Sequence, residues 1–142
     1  MSLFEITPEI QILAKPITPG YHGLEITKIE DKTTDKGVKQ TVFTHKVIDG
    51  AHKGAFVFLN VNHDETMAYN LDYLNFITGG AFKKPGKVDL RLENLKVKKF
   101  DGQIKNKVYD DRIMNNLGKV RAYTEPDKDG NKPSEKAENN KK

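Results

Sequence analysis

Two short rows of lysines and aromatic rings carry the most legible chemistry in this sequence. Lys96, Lys98 and Phe100 fall on one parity of an alternating stretch, and Lys105, Lys107 and Tyr109 on one parity of the next. Residues two apart share a face of a strand, so if both rows face the same way, cation and ring alternate over a two-stranded ribbon. A single nucleic-acid strand needs such a surface: cations that track its phosphates, and rings on which unpaired bases of any sequence can stack. The same rows also fit a solvated outer face on which Phe100 and Tyr109 are ordinary edge residues. Lys39, Phe43, Lys46, Phe56 and Phe58 extend the set of cations and rings along two earlier strands.

Other chemistry is sparse. The histidines at 22, 45, 52 and 63 are spread over different elements, and His63-Asp64-Glu65 lacks the helical spacing of a metal pair, so surface or capping roles are expected and no metal. There are no cysteines, which removes disulfides, thiolate metal sites and cysteine nucleophiles. Asp110 and Asp111 are adjacent and would point to opposite faces of a strand, so they cannot share a proton. No serine elbow, phosphate loop or dinucleotide glycine pattern occurs. The expectation is a binding protein, neither an enzyme nor a cofactor carrier.

The 142 residues suit one domain with a modest core: 36% are hydrophobic and 31% charged. The net charge is +4, yet the window from Lys83 to Arg112 holds ten basic and five acidic residues, so the excess is concentrated there. The start, MSLFEITPEI, lacks a basic-then-apolar leader pattern, and no apolar run approaches the length of a membrane span. A cytoplasmic protein without membrane contact is expected.

The elements that must position these residues read as follows. Residues 1–19 hold scattered apolar side chains broken by Pro8, Pro16 and Pro19, predicting an extended arm that lies over the domain or a partner subunit. Gly20 to Asp31 alternates as a half-buried strand, Thr33 to Gly37 supplies a turn, and Val38 to Ile48 is a β-branched and aromatic second strand. Burying the Val42 face would turn Phe43 outward. After a turn at Asp49 to Gly54, the third strand Ala55 to Asn62 is apolar on both faces. Its Phe56 and Phe58 either pack as core or form a platform for a flat ligand.

A helix is predicted next, N-capped by Asn62 or Asp64, with Met67, Leu71 and Leu74 on one stripe, Tyr69, Tyr73 and Phe76 on a neighbouring one, and Gly79-Gly80 as its stop. Lys87 to Phe100 reads as a long strand kinked near Glu93-Asn94, Asp101-Gly102 as a hairpin turn, and Gln103 to Ile113 as the last strand. The domain is set at residues 20–122. Residues 123–142 have almost no apolar side chains and balance five acids against five lysines, predicting a disordered tail.

Three strands, a helix, then a closing hairpin is the order of an all-β, five-stranded OB-fold barrel with one α-helix between strands 3 and 4. Within it, Gly20 to Glu30, the run Phe43-Thr44-His45-Lys46-Val47-Ile48-Asp49-Gly50 followed by Lys53-Gly54, the strand Ala55 to Asn62, and Lys96-Val97-Lys98 leading into Asp101-Gly102 resemble a family of phage-encoded OB-fold single-stranded DNA-binding proteins. The resemblance implies sequence-independent binding of single-stranded DNA in phage replication, recombination or repair. Partners would be single-stranded DNA, replication or recombination proteins, and further copies of the chain. Phosphates would be held by Lys39, Lys46, Lys96, Lys98, Lys105 and Lys107, with Phe43, Phe56, Phe58, Phe100 and Tyr109 as stacking candidates. The alternative is a β-barrel protein-interaction or phage structural module that uses the same surface without nucleic acid.

Overall fold

A computed structural model describes residues 3–7, 16–109, 112–127 and 132. Its strands are β1 (Gly20–Thr33), β2 (Lys39–Val47), β3 (Phe56–Asn62), β4 (Lys99–Tyr109) and β5 (Arg112–Ala122). They form one antiparallel sheet in the order β3-β2-β1-β4-β5. A 3-10 turn (Glu65–Asn70) and an α-helix, α1 (Leu71–Thr78), sit between β3 and β4. Among the described residues no helix is long and apolar enough to cross a membrane.

The first three strands form where alternation places them, and helical winding starts at one of the expected caps. Gly37 takes φ +83° in the β1–β2 turn, a conformation that excludes most side chains. Asp64 caps the 3-10 turn, its carboxylate accepting the Thr66 amide at 2.9 Å, whereas the α-helix expected from there begins only at Leu71, after Asn70. Gly79 ends α1 in the left-handed region at φ 73°. The helix lays Tyr73, Leu74 and Ile77 over the inner face of the sheet, where burial of apolar surface contributes ~25 cal/mol per Å².

The second half departs from its expected pattern in three places. Residues 87–98 are not a long strand: Leu92–Asn94 is a 3-10 turn, and regular pairing begins at Lys99. Their alternation is nonetheless real, since Leu95 is buried and Val88, Leu90, Leu92 and Val97 pack against the core. β4 pairs only with Gly20–Glu25 of β1, and beyond the bond from Ile26 N to Lys98 O the segment leaves the sheet to pack its apolar side chains on the core.

Asp101-Gly102 is no turn. Both residues lie inside β4, opposite Gly23 and His22 of β1 and Arg121 and Val120 of β5. A Cβ on Gly102 would stand 2.5 Å from Leu24 Cδ1 and 2.7 Å from Leu117 Cδ1, so this glycine serves close packing. The hairpin instead reverses between Tyr109 and Arg112, and a fifth strand, mostly beyond the expected end at Ile113, follows.

Both ends of the domain are tied to the sheet. Ile17 is buried; its amide donates to Asn115 Oδ1 (3.1 Å) and its carbonyl accepts from Asn106 Nδ2 (3.0 Å). Leu3, Phe4 and Ile6 remain exposed. The stretch expected to be a disordered tail begins with packed residues. Tyr123 donates to Asp49 Oδ2 at 3.0 Å, and Lys132 reaches Asp101 and Asp49 at 2.6 and 2.8 Å. The rest of that tail lies outside the described residues.

Candidate nucleic-acid interface

The pairing register sets the outer face of β1, β2 and β3 in rows. Glu25, Lys46 and Phe56 form one row, Lys28, Thr44 and Phe58 the next, and Lys32, Gln40 and Asn62 lie at the far end. The Gln40 amide donates to Asn62 Oδ1 at 2.9 Å, fixing that row. Phe56 and Phe58 are 52% and 57% exposed, so of the two readings of β3 the packed one is overturned. Two residues apart on a strand, the rings are spaced by ~6.7 Å, about twice the ~3.4 Å rise between stacked bases.

Lys46 is exposed directly across from Phe56, where opposed side chains have Cβ atoms ~5 Å apart. On β1, Lys28 and Lys32 both approach Glu30, at 3.3 and 3.4 Å. The hydrogen bond from Lys28 leads in holding the Glu30 carboxyl below its ordinary range, with the charges of both lysines adding to it.

Beside this face run two clefts that meet at Leu59 and Leu117. One, of about 480 Å³, lies between Phe56–Asn60 of β3 and Ile113–Leu117 of β5. The other, of about 530 Å³, is lined by Tyr69, Tyr73, Phe76, Lys105 and Lys119. Tyr69 is 88% exposed and Tyr73 5%, although both belong to the same predicted helical stripe. The 3-10 winding of Glu65–Asn70 has three residues per turn where an α-helix has 3.6, so the stripe breaks and Tyr69 turns outward.

Several expected site residues lie elsewhere. Phe43 and Phe100 are fully buried and cannot stack on a base. β2 turns Thr41, Phe43, His45 and Val47 inward, and Val42 on the other side is buried too; two polar residues in the inward row hide which side carries the core. Phe100 packs edge-on against His45, Tyr73 and Phe76, with ring centroids 5.8, 6.0 and 5.7 Å away.

Lys96 and Lys98 are exposed but precede β4, so they do not share a ribbon with Lys105 and Lys107. The Lys96 amide donates to Ile77 O at 2.9 Å and the Lys98 carbonyl accepts from Ile26 N at 2.8 Å. This places both beside α1 and β1, with β1 and β2 between Lys98 and β3. Lys39 is exposed at the start of β2, near His63. Lys107 pairs with Met114 near the hairpin end. The Tyr109 side chain lies outside the described residues.

The buried polar groups serve structure. His45 Nδ1 lies 2.9 Å from Val57 O, which can only accept, so the proton sits on Nδ1 and Nε2 accepts from the Tyr73 hydroxyl at 2.6 Å. Burial lowers the His45 pKa to about 4 and raises that of Tyr73 well above the ordinary phenol value. On the opposite face of β4, Asp101 is fully buried and takes Arg121 at 3.3 Å, the Thr124 amide at 3.2 Å and Lys132. Burial pushes the Asp49 carboxyl up, but Lys132, the Gly23 amide and the Tyr123 hydroxyl outweigh it and hold the group below the usual range.

Among the described residues no three histidine or acidic side chains gather as metal ligands. No protein-family model matches the chain, and no curated protein sequence matches it.

Proposed function

We propose that the chain binds single-stranded DNA with little sequence preference, on the outer face of β2 and β3 and along the adjoining clefts. The observation that carries this reading is the pair of exposed rings, Phe56 and Phe58, with Lys46 across from the first. An apolar pair left in water on a strand whose other face is the core has no packing role of its own. Beside a cation it suits bases and phosphates. Tyr69, Lys105 and Lys119 extend the track into the second cleft.

The strand order, with the helix between β3 and β4, is that of an OB barrel in which β3 and β5 would close, and we adopt that fold as part of the proposal. The setting remains phage DNA replication, recombination or repair in the host cytoplasm, with binding and no catalysis.

Fluorescence anisotropy with labelled oligo-dT, oligo-rU and duplex DNA at two salt concentrations tests the reading. Binding to oligo-dT should exceed binding to duplex, weaken steeply with salt, and fall at least tenfold in Phe56→Ala/Phe58→Ala. Absence of oligo-dT binding at low salt overturns it.

A further inference from the structure

The cleft of about 530 Å³ has two walls of different chemistry, and its volume falls among pockets that hold small ligands, roughly 300–1,000 Å³. β4 and β5 supply Lys105 and Lys119, with Gly118 beside the second, so a flat ring can approach the β5 backbone there. The 3-10 turn and α1 supply Tyr69, Asn70 and Asp72. Asn70 is the N-cap of α1, yet its side chain makes no cap hydrogen bond, which leaves its amide for another partner. Asp72, exposed in the first turn of α1, joins no ion pair or side-chain hydrogen bond among the described residues. A carboxylate in a cleft that takes phosphates is repelled by them unless it meets hydrogen-bond donors. Of the four bases, guanine alone offers a carboxylate two adjacent donors, N1–H and N2–H, with O6 next to them as an acceptor. Thymine sets one N–H between two carbonyls, and cytosine and adenine each put an acceptor ring nitrogen beside the amino group.

We propose that this cleft takes one unstacked base of the bound strand and prefers guanine, with Asp72 accepting from N1 and N2, Asn70 donating to O6, and Tyr69 stacking on the ring. The inference rests on the single-strand reading above and adds to it one position at which sequence matters. The cleft meets the groove beside Phe56 and Phe58 at Leu59 and Leu117, so a strand stacked on Phe58 can reach it with a following base. Tyr69, at 88% exposure, has its ring free for that base. Lys105 and Lys119 on the facing wall take the flanking phosphates, which keeps the anionic backbone on the cationic wall and the base on the wall that can read it. Elsewhere along the track any base can stack, so the preference is confined to this one site.

Anisotropy titrations with labelled oligo-dT carrying at its centre a single dG, a single deoxyinosine, a single dA or no substitution test this. The rest of each strand is uniform, so it can shift along the track until the guanine reaches the cleft. The dG strand should bind roughly fivefold tighter or more than plain oligo-dT, as one bidentate base contact provides. Deoxyinosine, which lacks the 2-amino group, should lose most of that gain and dA all of it. Asp72→Asn should make the dG and dT strands equal, whereas Asp72→Glu should keep part of the difference. The readout is a ratio between two strands on one protein, so an altered fold or overall charge cannot imitate it. Equal affinity of the wild-type chain for the dG and dT strands overturns the inference while oligo-dT binding stands, and so does a dG preference that survives Asp72→Asn or is matched by dA. Failure to bind any of the strands overturns the single-strand reading, and this inference with it.

Discussion

His45 Nε2 accepts a 2.6 Å hydrogen bond from the Tyr73 hydroxyl in the middle of the core, tying β2 to α1 through two polar side chains. Protonating His45 would put a charge where there is little water and turn its acceptor into a donor. Burial is the leading cause that lowers its pKa from 6.5 to about 4. The unfolded chain therefore takes up the proton first as pH falls. The stabilisation from neutral His45 is present in full above pH 6.5 and is lost as pH drops through 4, a change of about 3 kcal/mol. Urea unfolding at pH 7, 5.5 and 4 should show that decline, and His45→Gln should flatten the part between pH 6.5 and 4.5.

Lys132 places its ammonium between Asp101 and Asp49. Removing one partner of a buried ion pair costs ~3–5 kcal/mol, and Arg121, still on Asp101, should soften this. Lys132→Met should lower stability by about 2 kcal/mol, with Lys132→Met/Asp101→Asn regaining part of it. Chemical denaturation of the three chains checks this. An unchanged midpoint in Lys132→Met would mean that the residue merely decorates the surface.

Gly102 touches Leu24 and Leu117 across its missing Cβ. Gly102→Ala must displace both side chains or part β4 from its neighbours, an overpacking cost of about 1–3 kcal/mol. Gly118→Ala is the comparison, because there the nearest atoms are the ends of two flexible side chains, Gln103 Oε1 at 3.0 Å and Lys105 Cε at 3.3 Å, which can move. Thermal unfolding should lower Tm clearly for the first and little for the second.

These three sites show where the sequence was readable. β1 to β3 were legible because alternation, glycine turns and the Asp64 cap all act locally, within a few residues. The register of β2 was not, since its inward row mixes Phe43 and Val47 with Thr41 and His45, and only the partnership of His45 with Tyr73, 28 residues on, makes a histidine a core residue. Asp101-Gly102 has the composition of a hairpin turn. Its use inside β4 is dictated by Leu24, Leu117, Thr124 and Lys132, all distant in sequence. β5 has little apolar alternation beyond Leu117 and Val120, and its pairing with β4 shifts register between Gly102 and Ile104, so it left a weak pattern. Of the site, Phe56, Phe58 and Lys46 were legible as residue types. Tyr69 was hidden by assuming α-helical winding where the chain winds as a 3-10 turn.

The arrangement of cations yields the sharpest prediction about binding. From sequence, Lys96 and Lys98 belong with Lys105 and Lys107, and charge reversal at the first pair should abolish binding. In the fold, Lys98 is separated from β3 by β1 and β2, whereas Lys46 faces Phe56 and Lys105 lines the cleft that joins the β3–β5 groove at Leu59 and Leu117. Lys46→Ala and Lys105→Ala should each reduce the salt slope of oligo-dT binding by about 0.7, the release expected per phosphate contact on a single strand. Lys96→Ala/Lys98→Ala should leave the slope nearly unchanged, because distant exposed charges are screened over a Debye length of ~10 Å at 0.1 M salt. Titrations at four salt concentrations separate the two patterns. If the loss follows Lys96 and Lys98 instead, the strand runs over the β1–β4 side of the sheet, and Phe56 and Phe58 serve another partner.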